Sequence, residues 1–247
     1  MIAITRGVSP SIARAELTHL DRVPIDFTRA REQHRQYQDV LTSLGWAVVE
    51  IPGDPSYPDC VFIEDTAVVL SDVAVITRPG AESRRGETAA VAAALRAFRP
   101  LVHIEGPATL DGGDVLVLDD TIYVGLSSRS NAASLEQLRT LTGRNVVGIP
   151  LRGALHLKTA ITRVSGDTLL VNRDWIDVTP FAGWKLIDVD PGEPFAANAL
   201  LLGESVIYPR AFDRTREKLR GLDVHLVDAD ELAKAEGGVT CCCLAVV

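Results

Sequence analysis

A chain of 247 residues, 47% hydrophobic and 23% charged, has ample apolar material for a globular core. Its net charge of −8 and pI near 5.1 argue against general nucleic-acid binding and leave room for a cationic small molecule. Four cysteines, three of them adjacent, cannot make a sensible disulfide framework, the opening Met1–Arg6 lacks a signal peptide's charged and apolar regions, and the longest helical apolar stretch, Ala89–Leu95, cannot span a bilayer. A reducing, cytoplasmic setting without membrane or nucleic-acid partners is expected, and a homodimer is left open.

In chain order, a short strand at Ile2–Thr5 is followed by a polar loop containing His19. A helix is expected over Thr28–Leu44, with Tyr37, Val40, Leu41 and Leu44 on its apolar face, His34 on the wet face and Gly45 as its stop. Ala47–Ile51 reads as a strand. Four hairpins then follow: Val61–Leu70 with Val73–Thr77, Val115–Leu118 with Thr121–Gly125, Leu157–Val164 with Thr168–Val171, and Ala199–Leu202 with Ser205–Tyr208. Three of them lead into helical stretches, Ser83–Phe98, Ser130–Leu141 and Phe212–Leu219. Each of these ends in a short strand, Leu101–Ile104, Val146–Pro150 or Val224–Val227. The third copy is weaker, with a short helix expected over Asp174–Thr179 before a strand at Lys185–Val189. The chain closes with Val239–Val246, read as a buried strand entered through Gly237-Gly238, in which alternation puts Cys241 and Cys243 on one face and Cys242 on the other.

The unit is strand–strand–helix–strand, and the terminal pieces make a fifth copy if Val239–Val246 pairs with Ile2–Thr5. Five units at a spacing of 42 to 47 residues point to a closed ring. A generic α/β sheet is the alternative. The ring has a chemical consequence. Polar residues recur at or just before the first strand of every unit: Glu64 and Asp65, Asp111, His156, Asn198 and Cys241. Pseudo-fivefold symmetry gathers them around the axis at one end.

Cys241 is then a candidate nucleophile, and it needs a proton-transfer partner because an ordinary thiol is mostly protonated at neutral pH. Of five histidines only His156, at the mouth of a hairpin, shares its place in the repeat. Asp111, in Asp111-Gly112-Gly113-Asp114, is placed to orient His156, or else belongs to a plain turn with Gly for positive φ. No His or third carboxylate stands near these two acids at a ligand spacing, so no metal is expected. Glu64 and Asp65 lie inside an apolar run. Buried carboxylates need partners, and a guanidinium fork would satisfy both. Arg84 and Arg129 open helices, either as solvated charge or to hold an α-carboxylate.

Five segments resemble one family: Pro58-Asp59-Cys60-Val61-Phe62-Ile63-Glu64-Asp65; Ile76-Thr77-Arg78-Pro79-Gly80-Ala81-Glu82-Ser83-Arg84-Arg85-Gly86-Glu87; Ala108-Thr109-Leu110-Asp111-Gly112-Gly113-Asp114-Val115-Leu116; Leu155-His156-Leu157-Lys158; and Gly238-Val239-Thr240-Cys241-Cys242. In order and along nearly the whole chain, they look like the dimethylarginine dimethylaminohydrolases of the guanidino-group-modifying superfamily. The resemblance implies an α/β five-bladed propeller, the pentein fold, of five ββαβ units closed by the N- and C-terminal strands, as a single catalytic domain over residues 1–247. It implies that Cys241 is the nucleophile, His156 the general acid/base and Asp111 its partner. Glu64 and Asp65 would hold the guanidinium. Asp59, Arg84 and Arg129 would recognise the amino-acid end, and Leu17 would belong to a lid over roughly Val8–Leu20. Some family members carry Glu where this chain has Asp111. The implied reaction is hydrolysis of Nω-methylated arginine to citrulline and a methylamine through a thiouronium on Cys241, with no cofactor. An arginine or agmatine deiminase of the same fold, or a non-catalytic binder on the same ring, are the alternatives.

Overall fold

The computed structural model describes residues 1–247. It contains five three-stranded sheets. The first unit has β1 (Ile2–Arg6), α1 (Phe27–Ser43) and β2 (Ala47–Ile51); the second has β3 (Ala67–Val69), β4 (Ala74–Ile76), α2 (Thr88–Leu95) and β5 (Leu101–His103). The third has β6 (Val115–Leu118), β7 (Thr121–Leu126), α3 (Ala133–Thr142) and β8 (Asn145–Pro150). The fourth has α4 (Leu157–Ala160), β9 (Ile161–Arg163), β10 (Thr168–Val171) and β11 (Lys185–Asp188). The fifth has β12 (Leu200–Leu202), β13 (Ser205–Pro209), α5 (Asp213–Lys218) and β14 (Asp223–Val227), after which come α6 (Asp230–Ala233) and β15 (Leu244–Val246).

Every sheet is built alike. Its first strand pairs antiparallel with the second, and the second pairs parallel with the third. A short turn suffices for the first pair where chain-adjacent strands make it, whereas the parallel pair needs a crossover, which a helix supplies in four of the five units. β1 sits between β15 and β2, with Ile2 opposite Val246, so the two ends of the chain complete one blade. Ile4, Ile63, Ala67, Ile76, Val91, Leu95, Leu244 and Val246 pack into one core that joins this blade to the next. The architecture is the expected five-bladed α/β propeller.

The elements depart from expectation in instructive places. No α-helix forms over Asp174–Thr179; the crossover from β10 to β11 carries only a 3₁₀ turn at Thr179–Phe181. Pro180 disfavours helical backbone at the residue before it, and Asp177 caps Thr179 instead, accepting its N–H at 2.9 Å. On α1 the buried residues are Ala30, Gln33, His34, Tyr37 and Leu41, while Val40 and Leu44 are half-buried. His34, expected on the wet face, is therefore buried, and burial pushes its ring down to about 4 against the pull of Glu50. Gly45 ends the helix as expected, at φ +83°.

β3, β6, β9, β12 and β15 line the axis around a cavity of about 460 Å³. In four of the five units the residues just before this inner strand form a tight turn rather than more strand: Ile63–Thr66, Gly112–Asp114, Leu157–Ala160 and Thr240–Cys242. These turns crowd one end of the axis, and the candidate residues sit on them. No helix is long and apolar enough to cross a membrane.

Candidate active site

Cys241 lies on the 3₁₀ turn Thr240–Cys242, not on a strand, so the expected alternation of the three cysteines does not hold. Successive side chains on such a turn are about 120° apart. Cys241 Sγ accepts the Gly238 N–H at 3.3 Å, Cys242 Sγ reaches the Gly238 carbonyl at 3.6 Å, and Cys243 lines the axial cavity. Gly238 is needed for proximity, since a β-carbon there would fall 2.3 Å from Asn198 Oδ1. Burial, with the charges of Glu64 and Asp65, pushes the Cys241 thiol up to about 12.

His156 precedes α4 and is buried. Its Nε2 stands 3.2 Å from Asp111 Oδ2 and 3.8 Å from Asp65 Oδ1. Burial opposes a charged ring. The surrounding carboxylates of Asp65, Asp114 and Asp111 outweigh it and lift His156 to about 9. At neutral pH the free protein thus holds an imidazolium beside a neutral thiol. Asp111 Oδ1 accepts the Gly80 N–H at 2.8 Å, which fixes the other end of the carboxylate. Asp65, Asp111 and His156 offer ligand atoms within 4.8 Å of one another. Arg84 lies 2.6 Å from Asp65, and the ring is itself cationic, so the cluster reads as a mutually satisfied acid–base network.

The pair Gly112-Gly113 does not serve positive φ, which neither residue adopts. It serves close approach. A β-carbon on Gly112 would meet the Glu64 carbonyl at 1.9 Å, and one on Gly113 would meet Asp65 Oδ1 at 2.7 Å and His156 Nδ1 at 2.8 Å. The Gly113 N–H donates to Asp65 Oδ1 at 3.0 Å. Asp114 braces the next blade by accepting the Leu157 N–H at 3.0 Å and the hydroxyls of Ser127 and Ser130 at 2.6 Å each. Burial raises it to about 6 despite the nearby His156.

Glu64 and Asp65 do not converge. They occupy the 3₁₀ turn Ile63–Thr66, where neighbours point in different directions. Glu64 takes Lys158 Nζ at 2.5 Å and the Thr240 hydroxyl at 2.7 Å, and borders the axial cavity. Burial raises its pKa against the pull of Lys158. Asp65 faces the opposite way, into the pocket with Cys241 and His156. Burial would raise Asp65, but His156 and Arg84 hold it down at about 2.

That pocket is lined by Glu16, Asp59, Phe62, Asp65, Arg84, Arg129, Leu155, His156, Ala235, Glu236, Gly237 and Cys241. Arg84 is on its wall, yet its guanidinium is committed internally: to both oxygens of Glu87 at 3.2 and 2.9 Å, to Asp65 at 2.6 Å, and to the carbonyls of Asp59 and Phe62. It has one free N–H, on Nη1. Arg129 keeps more, giving Nη2 only to the Thr18 hydroxyl at 3.0 Å. Asp59 is buried and accepts the Glu16 N–H on both oxygens at 3.2 Å. Leu17 is half-buried in the covering segment and lines neither this pocket nor its neighbour. The free space under the cover is about 20 Å³. A second, apolar cavity of about 220 Å³ shares Leu155, Glu236, Gly237 and Cys241 with it. Asp114, Phe62, Lys158 and Glu236 are site residues that sequence reasoning missed. Only Asp114, the second acid of its motif, carried any local signal.

A family model described as N,N dimethylarginine dimethylhydrolase, eukaryotic, matches residues 21–180. The N(G),N(G)-dimethylarginine dimethylaminohydrolase of Streptomyces coelicolor is 41% identical over 97% of this chain and 94% of its own length. The protein of the same name from Pseudomonas aeruginosa is 34% identical over 87% and 88%. A structure of the Pseudomonas aeruginosa enzyme, a Cys-to-Ser mutant complexed with citrulline, superposes with a TM-score of 0.92 at 34% identity, covering 98% of this chain and 97% of that one. The N-terminal domain of ArgZ shares the fold, with a TM-score of 0.91 at 21% identity over 99% and 97%. With a pentein fold, a family-model match over more than half its length and relatives of this similarity, the chain belongs to the dimethylarginine dimethylaminohydrolase family.

Proposed function

We propose that this chain, as a single catalytic domain over residues 1–247, hydrolyses Nω-methylated L-arginine to L-citrulline and mono- or dimethylamine. The observation that supports the reading is a pocket lined together by Cys241, His156, Asp65, Arg129 and Asp59. Asp65 takes the guanidinium directly, and Glu64 adds negative charge from the floor. Asp59 and Arg129, with the one free N–H of Arg84, recognise the amino-acid end, and Leu17 closes with the lid.

The charge states order the steps. Burial lifts the Cys241 thiol to about 12, and the carboxylates of Glu64 and Asp65 that add to this lift also attract a guanidinium. Its arrival offsets them, so the thiol loses its proton to solvent as substrate binds. The thiolate attacks the guanidinium carbon. The imidazolium of His156, oriented by Asp111, protonates the departing methylamine and leaves a thiouronium on Cys241. The now neutral His156 takes a proton from water, the hydroxide adds to the same carbon, and citrulline leaves as the C–S bond breaks and the sulfur takes the hydroxyl proton, restoring the thiol and the imidazolium. No cofactor enters. The small molecule is the expected partner. The acidic net charge of −8 disfavours nucleic acid, and the setting fits the cytoplasm, with a homodimer open to test.

The test is a substrate panel. Pure protein is incubated separately with asymmetric dimethylarginine, monomethylarginine, arginine and agmatine, and ureido product is measured. Methylated arginines should be turned over fastest. Equal turnover of agmatine, or no ureido product from any of the four, overturns the reading.

A further inference from the structure

Glu236 is the residue that the catalytic account leaves without a role. It follows α6, five residues before Cys241, and borders both the polar pocket and the apolar cavity beside it. Its carboxylate is aimed at the covering segment. Oε2 accepts the Thr18 N–H at 2.9 Å, and Oε1 accepts the N–H groups of His19 at 2.5 Å and Leu20 at 2.8 Å. Three successive backbone donors on one carboxylate make a cradle of charge-assisted bonds.

The backbone makes the same point independently. Glu236 has φ +60°, the left-handed region that a residue with a β-carbon enters only at a cost. Its position closes the helix end, with the Gly237 N–H returning to the Leu232 carbonyl at 3.1 Å. Glycine would meet that backbone requirement without strain. A glutamate stands there instead, and its side chain is what reaches the cover. Other contacts hold the segment too, among them Asp59 with the Glu16 N–H, Ser83 with Glu16, and Arg129 with Thr18. Glu236 alone ties the cover to the loop that carries the nucleophile. The space beneath is about 20 Å³, room for about one water and far too little for an amino acid, so a ligand seated there has to displace part of its cover.

We infer that Glu236 is a positioning residue, the latch that holds the Thr18–Leu20 segment closed over the pocket and so retains bound substrate. This rests on the reading of the pocket as a methylarginine site. The experiment measures hydrogen–deuterium exchange of the lid peptide and steady-state kinetics with monomethylarginine, in Glu236→Gly and Glu236→Gln. Glu236→Gly removes the carboxylate while relieving the backbone, so its Tm should not fall. Its Thr18–Leu20 amides should exchange about tenfold faster or more, and kcat/KM should drop by about tenfold, carried by KM. Glu236→Gln keeps one acceptor oxygen and should fall between, and it serves if the glycine variant folds poorly. Wild-type exchange of the lid amides in the variants overturns the latch. So does faster exchange with no loss in kcat/KM, or with a loss confined to kcat. If the unmutated protein turns over no methylarginine, the functional reading fails, and the exchange measurement still decides whether Glu236 latches the lid.

Discussion

Replacing Asp111 with Asn removes one charge from the acid–base cluster and little else. The side chain is fully buried, and the amide oxygen can still accept the Gly80 N–H that now lies 2.8 Å from Oδ1. What disappears is the carboxylate oxygen 3.2 Å from His156 Nε2. A hydrogen bond to a charged group contributes about 1.5–3 kcal/mol, and one pKa unit is about 1.4 kcal/mol, so the imidazolium should fall by about one to two units from its value near 9. Asp65, at 3.8 Å, and Asp114 keep it above the ordinary histidine range. The sign for stability follows. His156 is raised in the folded state, so its contribution is complete below the unfolded pKa of 6.5 and is lost as pH rises toward 9. The full shift corresponds to about 3 kcal/mol, and Asp111→Asn should shrink it to about 1–2 kcal/mol. NMR titration of the His156 ring gives the midpoint directly, and urea unfolding between pH 6 and 9 gives the linked stability. An unchanged midpoint in Asp111→Asn would show that the ring is held charged by Asp65 and Asp114 alone and that Asp111 does not act on it.

Cys241→Ser should abolish turnover in a folded protein, whereas Cys242→Ser, whose sulfur turns to the Gly238 carbonyl, should keep most of it; the reverse pattern in a ureido-product assay assigns the wrong thiol. Arg129→Ala should lower kcat/KM for methylarginine by about ten- to a hundredfold, the value of one or two charge-assisted contacts, and hurt agmatine far less. Equal losses on the two substrates remove the carboxylate zone from the argument. Lys158→Met should destabilise by about 3–5 kcal/mol in urea unfolding, because it leaves Glu64 buried without its cation at 2.5 Å. Adding Glu64→Gln should restore much of that; losses that simply add would mean the pair is not coupled.

The ring was legible because its period is written in local patterns. Hairpins, helices and return strands each have their own periodicity, and they recur at 42 to 47 residues. The same period placed Cys241, His156 and Asp111 at matching positions without any contiguous motif. What stayed illegible was decided between blades. Glu64 and Asp65 read as a converging pair because both lie in an apolar run and one guanidinium fork would satisfy two buried carboxylates. A 3₁₀ turn parts them, and nothing in Ile63-Glu64-Asp65-Thr66 announces it. Arg84 read as available, yet its acceptors are Glu87, Asp65 and two carbonyls fixed by the folded loop. The glycines of Asp111-Gly112-Gly113-Asp114 read as turn formers, while their cause is the nearness of Glu64, Asp65 and His156 from other blades. Glu236 left no trace, because its partners stand more than two hundred residues away.

The groups assigned to the proposed chemistry are held by bonds that run around the axis from blade to blade. The Gly113 N–H holds Asp65, and the Leu157 N–H holds to Asp114 while Asp111 holds His156. Asn198 donates to the Lys158 carbonyl at 2.9 Å and to the Thr240 hydroxyl at 3.0 Å. That hydroxyl donates to Glu64 at 2.7 Å, next to Asp65, and the circuit closes. Each blade is therefore hydrogen-bonded to both of its neighbours. Closure matters energetically, because a buried carboxylate left with one partner missing costs far more than the bond itself contributes. It also explains why Asn198, which has no place in the chemistry, shares the position in the repeat occupied by His156 and Cys241. In an open sheet the last blade would leave Thr240 and Glu64 without each other. In the ring they meet, and their contact stands one residue from Cys241.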